Sequence, residues 1–156
     1  DLAKIKNYND LVREVDGMVS EGRIMREDAE KLNLNYILRF ARSHIAKRVI
    51  RAQAAGKLYK EKQFVIGVKA CELYPDSNSE ELILIQGIID AFFEEDDGLV
   101  ILDYKSDAVT DEKQLADRYR IQLIYYKKAL EQILNKKVKE MIIYSLYLGK
   151  EVYINS

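Results

Sequence analysis

Two apolar runs, each interrupted by a single carboxylate, constrain this chain more than any other feature. Leu82 to Phe93 and Leu99 to Tyr104 are almost wholly apolar or aromatic. The first holds Asp90, in Gln86-Gly87-Ile88-Ile89-Asp90, and the second holds Asp103, in Leu102-Asp103-Tyr104-Lys105-Ser106-Asp107. Between them Glu95-Asp96-Asp97-Gly98 is a hairpin signal. A hairpin symmetric about Asp96-Asp97 sets Asp90 directly across from Asp103, with Cβ atoms roughly 5 Å apart on one face. A bulge at Gly98 would instead set Asp90 opposite Tyr104. The symmetric register is preferred because it accounts for three polar residues at once. Two bare carboxylates in a buried sheet repel each other and lose hydration, penalties that a divalent cation between them removes. By the two-residue period of a strand, Lys105 shares the face of Asp103. Two carboxylates and an ammonium converging on one point suit a metal site for phosphodiester chemistry. The bland alternative ends each strand at its acid and lets Lys105 snorkel. It explains either acid alone, but not the whole pattern.

Periodicity divides the chain into a helical half followed by a sheet with one packed helix. Tyr8 to Met18 has helical spacing at Leu11, Val15 and Met18 and stops at Gly22, and Arg26 to Leu32 reads as a short helix. Asn35 to Ala55 reads as one longer helix, with Ile37, Phe40, Ala41, Ile45 and Val49 as its stripe and Gly56 as its stop. Strands are expected near Tyr59 to Val68, Leu82 to Phe93, Leu99 to Lys105, Glu140 to Leu148 and Glu151 to Ile154. Tyr74-Pro75-Asp76-Ser77-Asn78-Ser79 is a loop of turn formers. From Glu112 to Leu134 a helix resumes, with Leu115, Tyr119, Gln122, Tyr126, Leu130 and Ile133 on one face. Gln122 is the odd member of that face, since a polar side chain aimed at the core must find a partner. Tyr126, one turn later, can supply it. Gly87 sits mid-strand, where glycine weakens pairing and permits close approach.

Composition narrows the class. The 156 residues allow one domain with a real core, and 48% hydrophobic content with one Pro and seven Gly argues against disorder. Cys71 is alone, so no internal disulfide forms, and no apolar run is long enough to span a membrane. Without a signal peptide the expected compartment is the cytoplasm. Net charge is −1, but its distribution is uneven. Arg39, Arg42, Lys47, Arg48, Arg51, Lys57, Lys60 and Lys62 stand against Glu61 alone, and Lys113, Arg118, Arg120, Lys127 and Lys128 form a second group. Such clusters hold phosphates, line a solvated helix face, or meet another subunit.

Gly-Ile-Ile-Asp, then Leu-Asp-Tyr-Lys-Ser-Asp, then Gln122 and Tyr126 resemble the motif triplet of PD-(D/E)XK nucleases of the RecB type. Within them the chain is most similar to nuclease domains of the AddA/RexA family, from about Tyr8 to Tyr153. The resemblance implies an α/β, restriction-endonuclease-like core, a mixed β-sheet flanked by helices. Residues 1–58 would form a helical N-terminal part and residues 59–156 the nuclease core, one domain overall. It implies Asp90 as the first acidic metal ligand, Asp103 as the acid of the D-x-K element, the Tyr104 carbonyl as a further ligand and Lys105 as the catalytic lysine. Gln122 and Tyr126 match the element that borders the active site, where they would orient Lys105 or contact DNA. The implied cofactor is Mg²⁺, with Mn²⁺ possible. The implied partners are DNA and a second, AddB/RexB-like subunit, with no membrane. The implied activity is Mg²⁺-dependent DNA exonuclease action in a helicase-nuclease that processes double-strand breaks for recombinational repair, with this chain weakly active or inactive when alone.

The departures are specific. Lys60-Glu61-Lys62-Gln63-Phe64 only loosely matches the family's R-E-x-P-F element, which leaves Glu61 without an assigned role. The family's G-T-x-x-H element, whose histidine coordinates metal, is absent; His44, the sole histidine, reads as a helix-surface residue, and the chain is expected to begin after the family's histidine. A Gly-x-x-x-x-Gly-Lys-Ser/Thr phosphate loop is also missing, so ATP use would belong to upstream helicase domains. The rival reading is a catalytically inactive nuclease-fold module for DNA binding or subunit docking. Intact Asp90, Asp103 and Lys105 speak against it. A Cas4-type nuclease is disfavoured because Cys71 cannot alone hold an iron–sulfur cluster.

Overall fold

Side-chain caps set where most helices begin. The structure is a computed structural model describing residues 2–74, 76 and 78–155. After a 3₁₀ turn at Leu2–Lys4 come α1 (Tyr8–Ser20), α2 (Arg26–Lys31), α3 (Leu34–Arg42), α4 (His44–Ala54), β1 (Leu58–Lys69) and α5 (Ala70–Leu73). Then follow β2 (Leu82–Glu95), β3 (Gly98–Lys105), α6 (Glu112–Leu134), β4 (Val138–Ser145) and β5 (Lys150–Tyr153). Asn7 and Asp10 form a reciprocal capping box on α1, and Asp111 accepts from the Gln114 N–H at the start of α6. The left-handed Asn135 ends α6. Of the turn formers at 74–79, Pro75 and Ser77 lie outside the described residues.

The helix expected over Asn35 to Ala55 is two helices. Ser43 is extended (φ −69°, ψ 164°), and its Oγ accepts the Ala46 N–H at 3.1 Å, starting α4 afresh. The Ile45 N–H donates to Glu151 Oε1 at 2.7 Å, a partner supplied from β5. A serine hydroxyl and a distant carboxylate thus outcompete the helical bonds that a continuous stripe would suggest. The short α5, four residues long, has no periodic signal in the sequence.

Five strands in the order β1-β2-β3-β4-β5 make a mixed sheet, antiparallel except for the parallel pair β3–β4 that α6 connects. One face packs Ala91, Phe93, Val100, Leu102, Ile142 and Tyr144 against Phe40, Ile45 and Val49 of α3 and α4. The other packs Phe92, Leu99, Ile101 and Ile143 against Leu115, Leu123, Tyr126 and Leu130 of α6. Alternate residues of β3 and β4 serve opposite cores, so these strands read as continuous apolar runs. This is the α/β arrangement, a mixed sheet flanked by helices, that the motifs implied.

The hairpin register is the symmetric one. Its rungs run from Glu95↔Gly98 to Ala91↔Leu102, which brings Asp90 and Asp103 to the next position. Gly98 at the turn has φ +148°, and a Cβ there would lie 2.8 Å from the Lys137 carbonyl oxygen, so glycine is required. Beyond Ala91↔Leu102 the sheet forks. β2 continues with β1 alone to Leu82↔Lys69, while β3 continues with β4 to Lys105↔Ser145. Side-chain alternation also breaks at the fork, because Ile89 and Phe92 both join the core under α6 although an odd number of positions separates them. On β1 the residue facing Asp90 is Glu61, with φ +50°, between the rungs Lys60↔Ala91 and Lys62↔Ile89. A left-handed non-glycine residue there marks a local kink shared by both strands.

Candidate active site

The crotch of the fork holds the two acids. Asp103, 1% exposed, points to the α6 side of the sheet. Lys105 Nζ lies 2.7 Å from its Oδ2, an ion-pair contact, yet neither carboxylate oxygen accepts a directed hydrogen bond among the described residues. Burial pushes the Asp103 carboxyl above its ordinary range; the Lys105 ammonium opposes this and the Asp90 carboxylate adds to it. Asp90 is steadied from the backbone, its Oδ2 accepting the Tyr104 N–H at 3.0 Å.

Tyr104 sends only its backbone to this side. Its ring turns to the opposite face and meets Phe40 edge-on at 5.2 Å, and burial together with the Asp90 charge raises its phenol. Lys105 closes the site from the end of β3, its side chain 15% exposed. Burial disfavours its charge, but the pair with Asp103 and the nearby Asp90 outweigh that and hold the ammonium above its usual range. On α6, Gln122 Nε2 donates to the Tyr126 hydroxyl at 2.5 Å. Burial raises the Tyr126 phenol and Gln122 lowers it, while the charges of Asp103, Lys105 and Asp90 also reach it. The Tyr126 ring meets Phe64 edge-on at 5.7 Å, and Phe64 fills the space that Gly87 leaves, since a Cβ on Gly87 would lie 2.9 Å from Phe64 Cε1. Glycine at that position therefore admits the Phe64 ring that backs Tyr126.

Three neighbours of the site escaped sequence reasoning. The Tyr119 ring lies 4.3 Å from Lys105 Nζ, and its hydroxyl donates to both Asp107 oxygens, at 2.9 and 3.0 Å. Arg118 Nη1 donates to Asp107 Oδ1 at 2.6 Å. Helical spacing signals Tyr119 alone, one turn before Gln122 on the same face.

Several sequence candidates stand elsewhere or are already engaged. His44 is exposed at the start of α4, in the cleft by the hairpin tip with Arg48, Arg51 and Glu95, away from Asp90. Arg48 is buried, donating to Glu95 at 2.9 and 2.8 Å and to Glu140 at 2.7 and 3.2 Å, so it belongs to a structural network rather than to a phosphate-binding face. Arg39 donates to the Leu146 and Tyr147 carbonyls and Arg42 to the Lys6 carbonyl. Lys60 and Lys62 remain exposed on the edge strand, flanking Glu61, with no ion pair among the described residues.

The donor set fits a hard divalent cation. Asp103 presents a sealed oxygen, Oδ1, that nothing in the described fold satisfies, beside a second carboxylate and the backbone of Tyr104. Buried unpaired oxygens are costly and are rarely kept without a ligand to meet them. Among the described residues no three His, Cys, Asp or Glu side chains gather in one metal cluster. The site therefore suits an ion that binds through one or two carboxylates and completes its shell with water and substrate oxygens. Among the described residues no helix is long and apolar enough to cross a membrane.

Comparison with known proteins gives the family. The profile of the PD-(D/E)XK nuclease superfamily matches residues 4–155. An ATP-dependent helicase/nuclease subunit of Lachnoclostridium phytofermentans is 36% identical over 191 residues, covering 100% of this chain and 14% of its own length. The proteins of the same name from Clostridium acetobutylicum and Clostridium botulinum are 41% identical over 155 residues and 37% over 159, covering 96% and 99% of this chain. This chain spans 12% of the length of each of those two.

Proposed function

The chain belongs to the PD-(D/E)XK nuclease superfamily, and from that premise we propose that it hydrolyses DNA phosphodiester bonds at Asp90, Asp103 and Lys105 with Mg²⁺ or Mn²⁺. The observation that carries the reading is Asp103, a sealed carboxylate with an unsatisfied oxygen, held at the fork beside Asp90 and Lys105. Asp90, Asp103 and the Tyr104 carbonyl would hold the cation, which when bound supplies water activation and polarisation of a phosphoryl oxygen.

The chain's own residues do the rest. The Tyr104 N–H fixes Asp90, so one carboxylate reaches the site already oriented. Lys105, charged and only partly sealed, offers its ammonium to the negative charge that develops on the phosphate oxygens. Gln122 and Tyr126 form the α6 wall, a hydrogen-bonded pair that orients the lysine side of the site and meets the substrate backbone. The exposed Lys60 and Lys62 on β1 would meet phosphates nearby. Likeness to helicase/nuclease subunits supports the larger role, exonuclease action within a helicase-nuclease that works on broken DNA together with a partner protein.

The test is cleavage of end-labelled linear DNA in Mg²⁺ and in Mn²⁺, with chelator and Asp90→Asn as controls. Weak metal-dependent cleavage, lost in a folded Asp90→Asn protein, is the expected result. Salt-sensitive DNA binding without cleavage in either metal would instead make the fold a docking module.

A further inference from the structure

Lys105 is held on two sides, and only one of them is an acid. Oδ2 of Asp103 lies 2.7 Å from its ammonium, and the face of the Tyr119 ring lies 4.3 Å away. The ammonium is thus in contact with Asp103 and with an aromatic face at once. A ring face at cation–π distance attracts the same ammonium. That ring is itself clamped. Its hydroxyl donates to both oxygens of Asp107, and Arg118, its neighbour on α6, holds Asp107 at 2.6 Å. Asp107 lies two residues beyond Lys105 in the loop from β3 to α6, so the clamp ties the strand end to the helix that carries Gln122 and Tyr126. A hydroxyl donating to a carboxylate also enriches the ring in electron density, which strengthens its pull on a cation.

We propose that Tyr119, clamped by Asp107, is a positioning residue that sets where the Lys105 ammonium stands between Asp103 and the substrate phosphate. The proposal rests on the nuclease reading given above, because only there does the placement of Lys105 govern a rate. Tyr119 itself touches no reacting atom. It acts through Lys105, so its effect disappears when that ammonium is absent.

The experiment compares the full chain with Tyr119→Leu, Tyr119→Phe, Asp107→Asn, Lys105→Ala and the Tyr119→Leu/Lys105→Ala pair. Circular dichroism checks the fold, and Tyr119→Phe and Asp107→Asn keep the test decisive if Tyr119→Leu does not fold. Single-turnover cleavage at saturating DNA should fall about tenfold in Tyr119→Leu, the scale of one partly desolvated cation–π contact. The KM for DNA should stay within about twofold, as expected for a residue acting on the chemical step alone. Tyr119→Phe, which keeps the ring, should recover most of the rate, and Asp107→Asn should fall between the two. On Lys105→Ala, Tyr119→Leu should remove nothing further. Equal losses in both backgrounds, or Phe as damaging as Leu, would overturn the proposal.

A second readout does not depend on activity. The Lys105 ε-methylene protons, identified by their loss in Lys105→Ala, should show an upfield ring-current displacement in NMR spectra of the full chain. It should persist in Tyr119→Phe and vanish in Tyr119→Leu. A displacement absent from the unmodified chain, or surviving Tyr119→Leu, refutes the clamp. If the unmodified chain cleaves no DNA in either metal, the nuclease reading fails, and the NMR result still decides whether Tyr119 positions Lys105.

Discussion

The backbone N–H of Tyr104 donates to Oδ2 of Asp90 at 3.0 Å, a side chain of one strand bonding the main chain of the next just past the last rung of their ladder. That bond anchors the first acid while β2 and β3 part. It leaves the site open between two ribbons, with Asp103 sealed beneath it.

Asp103→Asn keeps the shape of the side chain and removes its charge. Metal-dependent cleavage should fall by at least about a hundredfold, as when a group that stabilises transition-state charge is lost. Cleavage assays on a variant whose fold is confirmed by circular dichroism decide it. A folded variant with undiminished cleavage would sink the assignment of Asp103.

Lys105→Ala separates holding a metal from using it. A lysine that acts on the transition state adds little to the ground-state complex, so Mn²⁺ affinity by calorimetry should change by less than about threefold. Cleavage should drop by two orders of magnitude or more, roughly the scale of one lost charge-stabilising group. Parallel loss of both would make Lys105 structural.

Gly87→Val tests the wall behind the site. Its Cβ would meet Phe64 at 2.9 Å, and Phe64 backs the Tyr126 ring, so the substitution should cost about 1–3 kcal/mol from overpacking. It should also slow cleavage more than Phe64→Leu does, because the displaced ring pushes Tyr126 rather than merely leaving it unsupported. A fluorescence melt and a rate for each variant are enough. Unchanged stability in Gly87→Val would refute the packing account.

Far from the site, Arg48 holds Glu95 at about 2, below an ordinary value of 4.5, chiefly through its hydrogen bonds. An acid whose folded pKa is depressed contributes stability above its unfolded value and loses it as pH falls through the folded one. Glu95→Gln should therefore cost on the order of 2 kcal/mol at pH 7, a deficit that shrinks between about pH 4.5 and pH 2. Arg48→Met should cost more, about 3–5 kcal/mol, because it leaves Glu140 without its partner and Glu95 with Lys139 alone. Denaturation midpoints measured across that pH range check the sign. A deficit that grows on acidification would overturn it.

By itself the sequence determined whatever local periodicity and turn chemistry control. Alternation, the Asp96-Asp97 turn and Gly98 placed β2 and β3 and their register, and thereby set Asp90 against Asp103. The 3.6-residue period placed Gln122 and Tyr126 on one face of α6, and the motif triplet indicated the superfamily. Tertiary structure alone decided where the sheet forks, because beyond Ala91↔Leu102 β2 keeps only β1 and β3 keeps only β4, and no local signal records that parting. It split the helix at Ser43, where Glu151, 106 residues away from Ile45, captures a helix amide. It withdrew Arg48 from the basic cluster by pairing it with acids 47 and 92 residues distant, and it set Tyr119 against Lys105. Burial and ion pairing depend on which side chains the completed fold brings within a few ångströms, and sequence separation carries no information about that distance.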